Sequence, residues 1–135
     1  MASHEPVIPP GSEKTYERFR FAPAVKVGGS ATGTTIYVSG VIGSGADGSV
    51  PENAADEFTN AFSQLAATLE AAGASVSDIV ELTSFHVNMG ETLGAFMSAK
   101  NAAVAEPYPA WTAIGCTELA IPGARAEVKA TAVIA

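Results

Sequence analysis

Glu127 is the residue whose type and setting most suggest chemistry. It stands in Arg125-Ala126-Glu127-Val128-Lys129-Ala130, where small or apolar side chains alternate with charged ones. An ionised carboxylate inside a strand is costly unless it is paired or faces a cleft. A salt bridge to Arg125 or Lys129, each two residues away on the same face, would meet that need. A cleft in which the carboxylate orients water or a ligand would meet it equally well, and the pattern favours neither. Trp111, in Pro109-Ala110-Trp111-Thr112, offers one indole N–H donor and a wide apolar face. Strands expected near Trp111–Cys116 and Ala124–Ile134, if cross-paired, would bring the indole toward Glu127.

The remaining reactive side chains lack partners in sequence. Cys116, the only cysteine, has no evident base nearby to make a thiolate. A small buried thiol is its ordinary reading, and a ligand-lining side chain is the only functional role it suggests. A lone cysteine also excludes an internal disulfide and any multi-cysteine zinc site. His4 and His86 are far apart with no carboxylate at ligand spacing, so no metal is expected. Ser39 has no Gly-x-Ser-x-Gly context. The glycines from Gly40 to Gly48 follow a strand but lack the Lys-Ser/Thr of a phosphate loop, and Pro51 precedes the helix. No cofactor is expected.

Composition narrows the class. The chain has 135 residues with a formal net charge of -7, and only 16% are charged against 47% apolar. That predicts one folded domain over residues 1–135, with residues 1–14 as an extended, proline-containing arm. Seven scattered Lys and Arg residues do not make the basic face that nucleic acid requires. No run approaches the roughly 20 apolar residues of a membrane span, and the start lacks a signal-peptide pattern. Cytoplasm is the expected location.

Strands are expected at Tyr16–Phe21, where aromatic and charged residues alternate, and at Ala24–Val27 as a continuation of the same sheet. Gly28–Gly33 reads as a turn, and Thr34–Val41 as the central strand. Asn53 caps a helix whose Phe58, Phe62, Leu65 and Leu69 share one face, with Gly73 ending it. Ile79–Val87 is a strand and Asn88–Gly90 a turn. A second helix over Thr92–Ala105 presents Leu93, Phe96, Met97 and Val104. The fold class is therefore α+β, a mixed sheet with both helices on one face. The bare opposite face predicts self-association.

Several segments together resemble the Rid family, also called YjgF/YER057c/UK114 and formerly endoribonuclease L-PSP. They are Thr35-Ile36-Tyr37-Val38-Ser39-Gly40, Ala71-Ala72-Gly73-Ala74-Ser75, Asp78-Ile79-Val80, the Tyr-Pro element before Trp111, and Ala126-Glu127-Val128-Lys129-Ala130. The resemblance implies a chorismate-mutase-like fold, a homotrimer with small-molecule clefts between subunits, and hydrolysis of enamines or imines without metal or cofactor. It makes Glu127 the water-positioning glutamate and Ser39-Gly40 part of the cleft lining. The family grips its substrate carboxylate with arginine in Pro-x-Arg-Ser/Thr, and the matching residue here is Trp111. A common cleft tyrosine becomes Phe21.

Indole cannot replace the bidentate, charged fork of arginine. The expectation is a divergent member with little or no 2-aminoacrylate deaminase activity. The alternative is a deaminase acting on another enamine or imine, with Glu127 orienting the water. Arg20, Lys26 or Arg125 would have to supply any replacement cation. Trp111 reads either as a plug at a subunit interface or as a stacking platform. Ribonuclease activity is disfavoured by the acidic balance.

Overall fold

The structure, a computed structural model, describes residues 3–22, 24–28 and 33–135. Among these, the elements run β1 (Ser3–Val7), α1 (Glu13–Phe19), β2 (Ala24–Gly28), β3 (Thr34–Val41), α2 (Ala54–Ala71), β4 (Ile79–His86), α3 (Met89–Ala103), β5 (Ala110–Gly115) and β6 (Ala126–Ile134). The turn expected at Gly28–Gly33 falls mostly outside the described residues.

Helix α2 forms where its cap and apolar period agree. The Asn53 side chain accepts the Ala55 N–H at 2.8 Å, satisfying a donor that the first turn leaves free. Phe58, Phe62, Leu65 and Leu69 are at most 3% exposed, each contributing roughly 1.5–3 kcal/mol by leaving water. Gly73 ends the helix at φ +84, a conformation that glycine adopts without strain. Helix α3 begins earlier than expected because Asn88 alone, at φ 54, turns the chain. Phe96 is buried, and it meets Phe58 and Phe62 of α2 with ring centroids 5.5 and 5.4 Å away.

The main sheet has the strand order β3-β6-β4-β5. Its β3–β6 and β6–β4 pairs are antiparallel, and β4–β5 is parallel. Parallel neighbours need a crossover, and α3 supplies it. Two expectations are corrected by this order. β5 does not pair with β6, because β4 lies between them. β3 is an edge strand rather than the central one. Its Thr- and Tyr-rich run suits a half-buried edge as well as a centre, and Val38 is its only fully buried residue. The interior strands β4 and β6 bury residues at nearly every second position.

The strand expected at Tyr16–Phe21 is also corrected, since these residues belong to α1 and the turn after it. Tyr16 packs on Tyr108 with centroids 5.0 Å apart, whereas Phe19 is 42% exposed. The aromatic residues therefore do not share one strand face. Six residues are too few to separate a strand period from a helical one. The chain leaves α1 through Arg20 at φ 55.

The arm is extended over Ser3–Val7, but as a strand hydrogen-bonded antiparallel to β2. Glu13 and Lys14 already belong to α1. The β1–β2 ribbon is separate from the main sheet, and its Val25 packs on Val80 and Val133. It thus covers one end of the face that the helices leave bare. Elsewhere on that face Tyr37 is 81% and Ile114 is 42% exposed.

Candidate functional site

Strand register assigns each candidate to a face. Leu82 lies between Trp111 of β5 and Ala130 of β6 in register. Leu82 and Ala130 are buried toward the helices, so Trp111 shares the helix-covered face. Glu127 pairs with Phe85 and alternates with the buried Ala126 and Val128, which points it to the opposite face. The single chain therefore separates the six candidates. Phe21 joins Trp111, Gly40 meets Glu127, Ser39 is the exposed β3 residue just before Gly40, and Cys116 lies just past the end of β5.

Trp111 sits in a polar-aromatic cluster. Its indole N–H donates to Ser84 Oγ at 2.9 Å, and Ser84 Oγ lies 2.7 Å from His86 Nε2. Ser84 and His86 are fully buried. Burial holds the His86 pKa below its ordinary value, favouring the neutral ring. The Trp111 ring stacks near Phe96 with centroids 6.2 Å apart, and Phe21 meets it edge-on at 5.6 Å. Lys100 Nζ lies 4.7 Å from the indole centroid, within cation–π range.

Lys100 is the cation beside Trp111, and the expected substitutes are placed otherwise. The Arg125 guanidinium is committed to Glu57 at 2.7 Å and to the carbonyls of Pro51 and Glu52. Arg20 has an exposed side chain, and the Lys26 side chain lies outside the described residues. Lys100 was missed because its charge masked its spacing. Four residues after Phe96 and four before Val104, it falls on the apolar face of α3.

Glu127 is half-buried, and among the described residues it forms no salt bridge. Arg125 is paired elsewhere, and Lys129 is exposed. The pairing account of Glu127 thus loses both named partners. The carboxylate approaches the backbone of Gly40, where any Cβ would overlap it. Gly40 sits at a register shift between Val38 and Val41, a bulge that re-aims the strand at this point. A free carboxylate against a side-chain-less stretch is suited to holding water or a ligand polar group.

The start of β6, and so the placing of Glu127, is anchored by Glu57. This carboxylate is fully buried and accepts the Arg125 N–H at 2.8 Å as well as its guanidinium. Cys116 is half-buried, and its backbone N–H donates to the His86 carbonyl at 2.8 Å. A cavity of about 800 Å³ lies between the start of α3 and the loop Thr117–Gly123. It takes in Arg125 but none of the six candidates. No described helix is long and apolar enough to cross a membrane.

Residues 16–134 match the family model described as endoribonuclease L-PSP. Over 121 residues the chain is 36% identical to the RutC family protein YjgH of Escherichia coli (strain K12), covering 89% of this chain and 88% of that protein. It is 32% identical over 116 residues to a 2-iminobutanoate/2-iminopropanoate deaminase of Dermatophagoides farinae, covering 84% and 85% of the two chains. The solved structure of YyfB from Yersinia pestis, a protein of unknown function in the conserved Rid family, superposes with a TM-score of 0.84 at 26% identity. That match covers 97% of this chain and 98% of the other.

Proposed function

This chain belongs to the endoribonuclease L-PSP, or Rid, family, and from that premise we propose that it assembles as a homotrimer whose intersubunit clefts hydrolyse an enamine or imine. The substrate is one that does not depend on a charged grip on its carboxylate. The separation of Trp111 from Glu127 carries this reading. Phe21 and Trp111 lie at the β5 edge, whereas Ser39 and Gly40 lie on β3 at the other edge, where Gly40 meets Glu127. A cleft containing all of them requires two copies placed edge to edge.

In such a cleft the Glu127 carboxylate orients a water and takes one of its protons as the oxygen adds to the carbon of the protonated imine. The neutral carbinolamine then collapses: Glu127 returns its proton to the nitrogen, the C–N bond breaks as ammonia leaves, and the hydroxyl gives up its proton to water as the carbonyl forms. Phe21 and Trp111 form an apolar wall where the family carries tyrosine and arginine. This favours uncharged or aromatic substrates over 2-aminoacrylate. The kind of chemistry accords with the name of the deaminase relative.

The test is ammonia release from freshly generated 2-aminoacrylate and from a panel of uncharged and aromatic imines, with Glu127→Gln as control. Slow or absent turnover of 2-aminoacrylate and Glu127-dependent turnover of another imine are expected. Rapid 2-aminoacrylate turnover, or a monomer by light scattering, would overturn the reading.

A further inference from the structure

We infer that Lys100 is a positioning residue for the Phe21–Trp111 wall: it ties the last carbonyls of α1 to the indole and thereby fixes how the two rings face a ligand. The inference deepens the proposed function and rests on Phe21 and Trp111 being the ligand wall.

The geometry joins three elements at one ammonium. Lys100 Nζ, carried by α3, donates to the Arg20 carbonyl at 2.9 Å and to the Phe19 carbonyl at 3.4 Å. These carbonyls close α1, and Phe21 is the next residue. The same Nζ lies 4.7 Å from the ring centroid of Trp111 on β5. Phe21 meets that ring edge-on, and Ser84 fixes its N–H. The one ammonium thus bridges the backbone that leads into Phe21 and the ring of Trp111.

Packing alone does not call for a lysine here. Position 100 lies on the apolar face of α3 between Phe96 and Val104, and Lys100 is only 2% exposed. Leucine would fill such a site without desolvating a charge. No carboxylate pairs with Lys100 among the described residues, so the ammonium bears a burial cost offset by two carbonyls and a π face.

That cost makes the device respond to protons. Burial first, then the charge of Arg20, lowers the Lys100 pKa from 10.5 to about 8. Of the surrounding groups, Arg20 comes from α1 and bears directly on it. His86 of β4 reaches the same indole through Ser84 and is kept toward neutrality by burial. β5 contributes the indole itself, and α2 contributes Phe58 and Phe62 against Phe96. The closed wall binds fewer protons than an open one in which Lys100 reaches water. Opening is therefore easiest below pH 8 and becomes about tenfold rarer per pH unit from there toward 10.5.

Trp111 is the only tryptophan, so its fluorescence reports on the wall without a ligand. Acrylamide quenching of the full chain is measured from pH 6.5 to 10 in the wild type, Lys100→Met and Lys100→Arg. Quenching is expected to fall above pH 8 in the wild type, to stay flat in Lys100→Met, and to stay at its low-pH level in Lys100→Arg. A pH-independent wild type, or the same pH dependence in Lys100→Met, overturns the inference. On whichever imine the panel shows to be turned over, Lys100→Met should raise KM about fivefold or more while kcat moves less than about twofold. A proportional fall in kcat would instead contradict a positioning role. If no imine is turned over, the functional reading fails while the quenching still decides the role of Lys100.

Discussion

Trp111 and Glu127 face opposite sides of one sheet, with β4 between their strands. No side-chain rotation within one chain brings an indole over one face to a carboxylate under the other. Any chemistry shared by the two residues has to be built across a junction between copies. The environments on the two faces also differ. Trp111 is wedged among Phe96, Phe21 and Lys100, and Glu127 lies against bare backbone at Gly40.

Introducing arginine at position 111 should therefore fail as a single change. Its guanidinium would lie against the buried Lys100 ammonium, two cations in a site built for one and an indole. Trp111→Arg is expected to lose several kcal/mol of stability, the scale of an uncompensated buried charge. Trp111→Arg combined with Lys100→Met should regain most of that loss and raise 2-aminoacrylate turnover about tenfold or more above wild type. Urea denaturation and ammonia release read the two effects. A single Trp111→Arg variant as stable as wild type would count against this account of the site.

Gly40 and Glu127 should show coupling. A methyl group at Gly40 overlaps the Glu127 carboxylate, the far end of a flexible side chain, so Gly40→Ala is expected to push it aside and destabilise by no more than about 1 kcal/mol. In the Gly40→Ala, Glu127→Ala double variant most of that loss should disappear, giving a double-mutant cycle far from additive. Additive losses would mean that the two residues do not touch.

Stability should also depend on pH at two buried bases. The Lys100 pKa is lowered to about 8 in the folded chain, so between pH 8 and 10.5 the unfolded chain holds the proton more often. Stability of the wild type relative to Lys100→Met is expected to rise across that window, by at most about 1.4 kcal/mol per pH unit. The His86 pKa is lowered by burial from 6.5. Its contribution is complete above pH 6.5 and is lost as pH falls below that value. Denaturant midpoints taken from pH 5 to 10 check both signs, and a flat difference between wild type and Lys100→Met above pH 8 would contradict the first.

What could be read from the sequence follows how local each signal is. α2 was legible because Asn53, the four-and-three spacing of its apolar residues and Gly73 all act within one helix. The alternation around Glu127 likewise identified β6. Sheet order was not legible, because pairing joins residues far apart and β4 fits between β5 and β6 without leaving a mark in either. The fate of Arg125 was equally hidden, since its partner Glu57 lies 68 residues away. Tyr16–Phe21 misled because six residues of mixed aromatic and charged type fit a strand and a helix alike. Lys100 stood in plain view of the helical period, but a charged side chain at an apolar position is easily assigned to solvent.

The free edge at β3 has one more consequence. Ala22 bridges to Ala110 at the start of β5, but β3 ends the sheet with a row of backbone donors and acceptors open to another strand. Tyr37 stands nearly bare on the same strand. Such an edge templates indiscriminate pairing, so substitutions that block the proposed assembly should show first as turbidity and precipitation rather than as a soluble protomer.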